Sequence, residues 1–278
     1  MGTLYLVATP IGNLEDFSPR AVRILREAGL IAAEDTRVTR KLLSHFDIHT
    51  PLTSYFEHNK LTKLETVLAA LIKGDVALVS DAGTPAINDP GYELVRAALG
   101  VGHTVSPVPG PTAPVAALAA SGLPTDSFLY LGYLPRKSSE RLALGDQIAN
   151  LTYTLILLES PHRLLAALKD LQAALGDRQI AIARELTKVH EEIWRGNISA
   201  GREHFTQNEP RGEFTLVVAG HRPDEKFSWA EDKVMIALKI GLKQGESPAA
   251  LSGRVAQASG WERRKVYKMA VNLKGTTK

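Results

Sequence analysis

Short apolar runs alternate along this chain with longer stretches whose apolar positions recur every three or four residues, the signature of strands and helices taken in turn. Residues 3–9 predict a buried first strand. Ser18-Pro19 then offers an N-cap and a proline for the first helical position, ahead of Ala21, Val22, Leu25 and Ala28 at helical spacing. The same reading predicts strands at 30–33, 76–80 and 104–107, and helices at 39–46, 59–73, 89–99 and 113–120. Helices between strands predict a parallel sheet. Ser121-Gly122-Leu123-Pro124-Thr125 has linker character and ends a first α/β domain over 1–122.

The second half alternates again, with strands at 128–133, 152–158, 179–183 and 212–219 and helices at 138–150 and 161–175. This predicts a second α/β domain, with a mixed sheet, over 123–224. From Ala230 onward the pattern turns helical, in three pieces, with Ser247-Pro248 opening the second and Trp261 to Tyr267 in the third. Residues 225–278 therefore form a small helical extension.

Composition narrows the chemistry. The chain has 278 residues, 44% hydrophobic and 23% charged, enough for two ordinary domains. It has no cysteine, which excludes disulfides, thiolate metal sites and a cysteine nucleophile, and fits a reducing cytoplasm. No signal-peptide pattern opens the sequence and no apolar run approaches a membrane span, so a soluble, cytoplasmic protein is expected. The net charge of +3 is uneven: residues 225–278 hold 11 Lys/Arg against 5 Asp/Glu, the remainder 22 against 25. The basic tail points to a polyanionic partner.

Candidate chemistry gathers at strand ends. Ser80-Asp81-Ala82-Gly83-Thr84-Pro85 follows the apolar run 76–79, so a small, kinked loop with one fixed carboxylate sits where open α/β sheets bind ligands, although an ordinary strand-to-helix turn uses the same residues. Glu159-Ser160-Pro161-His162-Arg163 follows the next strongly apolar run. Ser160 suits an N-cap, and His162 and Arg163 project from a first turn, where cations oppose the helix dipole unless an anion binds nearby. Ala183-Arg184-Glu185-Leu186-Thr187-Lys188 again concentrates charge at a strand terminus, with His190 close behind, and as plainly suits a surface loop with local ion pairs. Glu34-Asp35 is an adjacent pair whose side chains diverge in an extended segment, with no third ligand at matching spacing, so no metal is expected. Neither Gly-x-Gly-x-x-Gly, Gly-Lys-Ser/Thr nor Gly-x-Ser-x-Gly occurs, which argues against a phosphate cradle and a serine elbow. In the tail, Arg254, Arg263, Arg264, Lys265 and Lys268 interleave with Trp261 and Tyr267, a pattern that suits RNA backbone and base stacking, or equally a solvated helical bundle with a tryptophan in its own core.

Together with Thr9-Pro10-Ile11-Gly12-Asn13-Leu14, Ala33-Glu34-Asp35-Thr36-Arg37, Asp89-Pro90-Gly91 and Pro109-Gly110-Pro111, these segments resemble, in order, the ribosomal small subunit methyltransferase I family of bacterial enzymes. The resemblance spans residues 3–220. It implies the two-domain tetrapyrrole-methylase fold, with a parallel-sheet N-terminal domain and a mixed-sheet second domain. It also implies a homodimer, and methyl transfer from S-adenosylmethionine to the ribose 2′-hydroxyl of a cytidine in 16S ribosomal RNA of the small subunit. By motif match, the cofactor would lie against Pro10, Asp81, Ala82, Gly83, Pro85, Thr112 and Ala113, closed over by Leu158, Ala183 and the strand beginning Gly212-Glu213-Phe214. A sulfonium cofactor needs small polar loops rather than a phosphate cradle. Glu185, Glu34 and His190 are candidates for accepting the hydroxyl proton, and Arg37, His162, Arg163 and Arg184, with Arg263, Arg264 and Lys265 of the tail, for holding RNA. Two other classes stay open: a methyltransferase of a corrin or porphyrin precursor on the same fold, and a nucleic-acid-binding module without turnover.

Overall fold

A computed structural model describes residues 2–56, 60–222, 231–259 and 261–275, which separate into a unit over 1–221 and a second over 222–278. The first unit holds two five-stranded sheets. In the first, β1 (Thr3–Val7), β2 (Leu30–Ala33), β3 (Leu52–Ser54), β4 (Val76–Val79) and β5 (Thr104–Val108) run parallel in the order β3-β2-β4-β1-β5. Every residue of β4 is buried, as a central parallel strand covered on both faces requires. On one face, Val7, Ile31, Ala77 and Val79 meet α1 (Pro19–Glu27) and α2 (Thr36–His45); on the other, Leu4, Ala32, Val76 and Leu78 meet α3 (Lys60–Lys73) and α4 (Tyr92–Gly100).

The second sheet is mixed, in the order β6-β7-β10-β8-β9, from β6 (Phe128–Tyr133), β7 (Thr154–Glu159), β8 (Gln179–Arg184), β9 (Glu192–Asn197) and β10 (Phe214–Val218). Only β6 and β7 pair in parallel. One face buries Leu155, Leu157, Ile182 and Leu216 under α6 (Ser138–Ile148), α7 (Leu164–Leu175) and α8 (Ile198–Gln207). The opposite face buries Ile156, Ala181, Ala183 and Val217 against Ala117 and Leu118 of α5 (Ala113–Ser121). Arg195 of β9 closes that contact by donating to the carbonyls of Ala120 and Ser121, the latter at 3.1 Å, at the C-terminus of α5. A boundary near residue 123 puts α5 with the first domain, yet its apolar face packs on the second sheet.

Several expected bounds move for local reasons. Asp35 accepts from the amide of Arg37 and starts α2 at Thr36 rather than 39. Gly91, at φ 148°, opens α4 at Tyr92 and leaves Asp89 in the preceding loop. Ser160 makes no capping bond; residues 161–163 form a 3-10 turn before α7, and the Ser160 hydroxyl accepts from Arg163 Nε instead. Strands β3 and β9 and helix α8 were not expected, β3 because it is a three-residue edge strand and β9 because its charged residues read as loop.

The second unit contains α9 (Glu231–Lys243), α10 (Pro248–Ser259) and α11 (Arg263–Gly275) around Val234, Leu238, Leu251, Val255, Val266 and Ala270. Among the described residues no helix is long and apolar enough to cross a membrane.

Leu118→Ala removes a side chain that α5 buries against the second sheet, and should lower the stability of the 1–221 unit by about 2–5 kcal/mol, read by urea denaturation. A loss below about 0.5 kcal/mol would show that α5 is not held there.

Candidate active site

The strand order sets β1 beside β4, so the loops that leave their carboxyl ends are neighbours. They are clasped by an isolated antiparallel bridge: Thr9 donates its amide to the Gly83 carbonyl at 2.9 Å and Gly83 donates back at 3.0 Å. The Thr9 hydroxyl adds a 3.1 Å bond to the Ser80 carbonyl. Gly83 sits at φ 86°, a conformation in which a Cβ is strained, and leaves the loop backbone bare. Beside them, the loop after β2 crosses over reciprocally: the Asp81 amide donates to Glu34 Oε2 at 3.2 Å and the Asp35 amide to Asp81 Oδ1 at 3.0 Å.

The second sheet contributes the loop after β8. Glu185 and Thr187 hold left-handed backbone at φ 50° and 66°, and Lys188 Nζ pairs with Glu185 Oε1 at 2.9 Å. This loop presses on Gly12, where a Cβ would lie 2.5 Å from Lys188 Cγ and 2.9 Å from the Leu186 carbonyl. Ala86 and Asn88, in the long loop after β4, are also left-handed. Four strained non-glycine residues thus border one place, the distribution expected where geometry serves a ligand.

Between these loops opens a cleft of about 400 Å³. Glu34, Asp81, Asp89, Glu185 and Glu213 line it, and Lys188 is the one cation among its described lining residues. Burial raises the pKa of Glu34, Asp81 and Asp89 above the usual carboxylate range, and repulsion from nearby carboxylates, Asp35 beside Asp81 and Glu213 beside Asp89 among them, raises it further. Burial likewise pushes Tyr130 up to about 12, and the neighbouring Tyr133 in the same direction. Asp35 behaves oppositely: hydrogen bonds from Arg37, 2.6 Å away, hold it down to about 2. A cleft lined mainly by one sign of charge concentrates ligands of the other sign. This cleft suits a compact cation with polar ends.

Of the residues singled out in the sequence, Glu34, Asp81, Ala82, Gly83, Thr112, Ala113, Leu158 and Glu185 line this cleft together. Pro10 lines an adjoining slot, Pro85 is buried beneath its loop, and Ala183 faces α5 in the core. Gly212 stands against the Glu185 carboxylate without lining the cleft. His190 and His162 are exposed and outside it. Arg163 is committed to Glu159, at 2.6 Å, and donates to the Leu134 carbonyl; Arg184 is committed to Glu192, also at 2.6 Å. These two arginines brace their own strand ends, which explains Arg163 at that first turn without an external anion. Arg37 pairs with Asp35 yet stays largely exposed. Arg263, Arg264 and Lys265 are exposed on α11 in the second unit, where Lys265 Nζ lies 4.1 Å over the Trp261 ring. That ring packs against its own helices, as the bundle reading expects.

Asn88, Asp89, Tyr130, Tyr133 and Lys188 join the cleft without having been singled out as site residues, and Glu213 joins it from the strand expected to close over the cofactor. The two tyrosines are three positions apart on β6, which alternation assigns to opposite faces; a bulge between Tyr130 and Gly132 turns both inward. Asp89 carried a signal in its Asp-Pro-Gly context, which a helix beginning at 89 hid.

Residues 3–200 match the tetrapyrrole (corrin/porphyrin) methylases. The chain is 48% identical to a protein of Synechocystis named ribosomal RNA small subunit methyltransferase I, covering 98% of this chain and 99% of that one. A protein of the same name from Halalkalibacterium halodurans is 53% identical over 79% of this chain and 76% of its own. Among solved structures, the cobalt precorrin-4 methyltransferase of cobalamin biosynthesis superposes with a TM-score of 0.57 at 18% identity, over 78% of this chain and 94% of that one. That likeness is one of fold.

A carboxyl whose pKa is higher folded than unfolded destabilises the fold while ionised, and the penalty disappears as the pH falls below the ordinary carboxylate range. Asp89→Asn should therefore raise the thermal midpoint at neutral pH, by no more than about 2–4 °C given partial solvent screening, and the gain should shrink toward about pH 4. Scanning calorimetry across that range tests it; a lowered midpoint at neutral pH refutes the electrostatic reading of the cleft.

Proposed function

Because the chain belongs to the ribosomal RNA small subunit methyltransferase I family, within the tetrapyrrole methylases, we propose that it transfers a methyl group from S-adenosylmethionine to the 2′-hydroxyl of a cytidine ribose in 16S ribosomal RNA. The observation that carries this reading is the carboxylate-lined cleft at the joined ends of β1 and β4, whose charge, size and bare backbone fit a sulfonium donor bearing an ammonium group. The residues that would hold the donor are Asp81 to Thr84, Thr112 and Ala113, with Leu158, Leu186 and Phe214 closing from the second sheet. When bound, that cofactor supplies an electrophilic methyl carbon. The chain's own part is chiefly alignment of the ribose oxygen, because in-line displacement depends above all on orientation.

Two carboxylates line the cleft as proton acceptors, Glu34 and Glu185. Burial raises the pKa of Glu34 and with it the basicity of its carboxylate, while the Asp81 amide fixes its orientation. Glu185 is charge-compensated by Lys188, whose ammonium can steady negative charge on the ribose oxygen as the proton leaves it. His190, exposed outside the cleft, ranks last. Exposed Arg37, and Arg263, Arg264 and Lys265 of the tail, remain the RNA-holding candidates. The working unit is taken to be a cytoplasmic homodimer, on the family resemblance, and light scattering of the purified chain tests the assembly. A macrocycle substrate is disfavoured because the relatives at about half identity bear the ribosomal RNA name, whereas the macrocycle enzymes share only the fold.

Incubating the protein with labelled donor and unmethylated small subunits, then mass-mapping the RNA, should reveal one 2′-O-methylcytidine; a methylated base, or methylation of a tetrapyrrole instead, overturns the proposal. Glu34→Gln should lower kcat by at least about 100-fold while donor affinity by calorimetry holds within about twofold. In the unsubstituted protein the rate should fall as the pH drops through the raised Glu34 pKa, because only the ionised carboxylate accepts a proton. An unchanged kcat in Glu34→Gln transfers the role to Glu185, which Glu185→Gln then tests.

A further inference from the structure

Beside the cleft lies a second cavity of about 230 Å³ that the methyl-transfer reading leaves unused. Its walls are Pro10 and Leu14 from the loop after β1, Val38, Thr39 and Leu42 from α2, and Ser80 and Asp81 after β4, Asp81 lining both cavities. Leu14 and Val38 are each about two-fifths exposed, so apolar side chains form its mouth. The flanking surface differs in kind. Helix α2 carries Arg37, Arg40 and Lys41, all exposed, and no acidic residue; Lys41 reaches the slot itself. Glu15 and Asp16 follow Leu14 but do not line it.

The main cleft repels phosphate, since five carboxylates face it, so an RNA strand must be drawn in by neighbouring surface. An apolar slot with a basic flank matches a nucleotide whose base is unstacked and whose phosphate stays in solvent, the usual form of single-stranded RNA recognition. We propose that the slot between residues 10–14 and α2 receives an unstacked nucleobase of the RNA strand being methylated, with Lys41 and Arg40 on its phosphates, and so holds the target ribose at the cleft next door. The inference rests on RNA being the substrate and names the subsite that grips it.

The absence of native cysteine makes the test direct. Val38→Cys places a sole thiol at the slot mouth, and Leu99→Cys places one on the exposed face of α4 as a control. Unmethylated small ribosomal subunits at saturating concentration should slow alkylation of the first thiol at least about tenfold and leave the second unchanged, while S-adenosylmethionine alone protects neither. Photo-crosslinking from an azidophenacyl group on the Val38→Cys thiol, followed by mass mapping, should land on one nucleotide and tell the target base from its neighbour. Lys41→Glu should raise the half-saturating subunit concentration about tenfold and flatten the salt dependence by about one charge. Methylation that proceeds with the thiol unprotected, or with crosslinks scattered along the RNA, overturns the slot alone. If no RNA is methylated, the functional reading fails and this inference falls with it.

Discussion

The bridge between Thr9 and Gly83 is the constraint on which the site depends. Two loops leaving neighbouring parallel strands have no ladder to hold them once the strands end, and their backbone groups must find partners or water. Here each supplies one donor and one acceptor to the other, and the Thr9 hydroxyl ties the pair to the end of β4. This fixes Asp81 at the entrance, and Asp81 in turn orders the loop after β2 through its exchange with Glu34 and Asp35. Three strand ends become one hydrogen-bonded rim, with no cluster of potential metal ligands among the described residues and no cysteine in the chain.

That rim holds groups that folding alone would not choose. Half-buried carboxylates that repel one another, and left-handed backbone at Ala86, Asn88, Glu185 and Thr187, all cost stability. The buried strands of both sheets offset them, β4 and β10 being enclosed along their whole length. Such a division between a relaxed core and a strained, charged rim is the usual trade between stability and function.

Much of this was legible in the sequence because it is local. Apolar runs gave β1, β2, β4 and β5 of the parallel sheet, and Ser80 to Pro85 marked the loop after β4 that lines the cleft. What was not legible depends on how side chains and backbone turn at the strand ends. Arg163 was read as facing an external anion, whereas Glu159 takes it; the pairing of Arg184 with Glu192 is the local ion pair that the sequence left open. Tyr130 and Tyr133 share a face only through a bulge, which breaks the alternation on which strand reading relies. Strand β9 carries Glu192 and Arg195, both engaged by tertiary partners, so its polarity resembled a loop.

Helix α5 has one further consequence. It begins at the rim, with Thr112 and Ala113 in the cleft wall, and ends clamped by Arg195, having buried Ala117 and Leu118 beneath the other sheet. The floor of the cleft is therefore a strut common to both halves, and the chain from 1 to 221 is one compact body. Parting the two halves like a clamshell would have to strip Ala117 and Leu118 from the second sheet and break the bonds from Arg195.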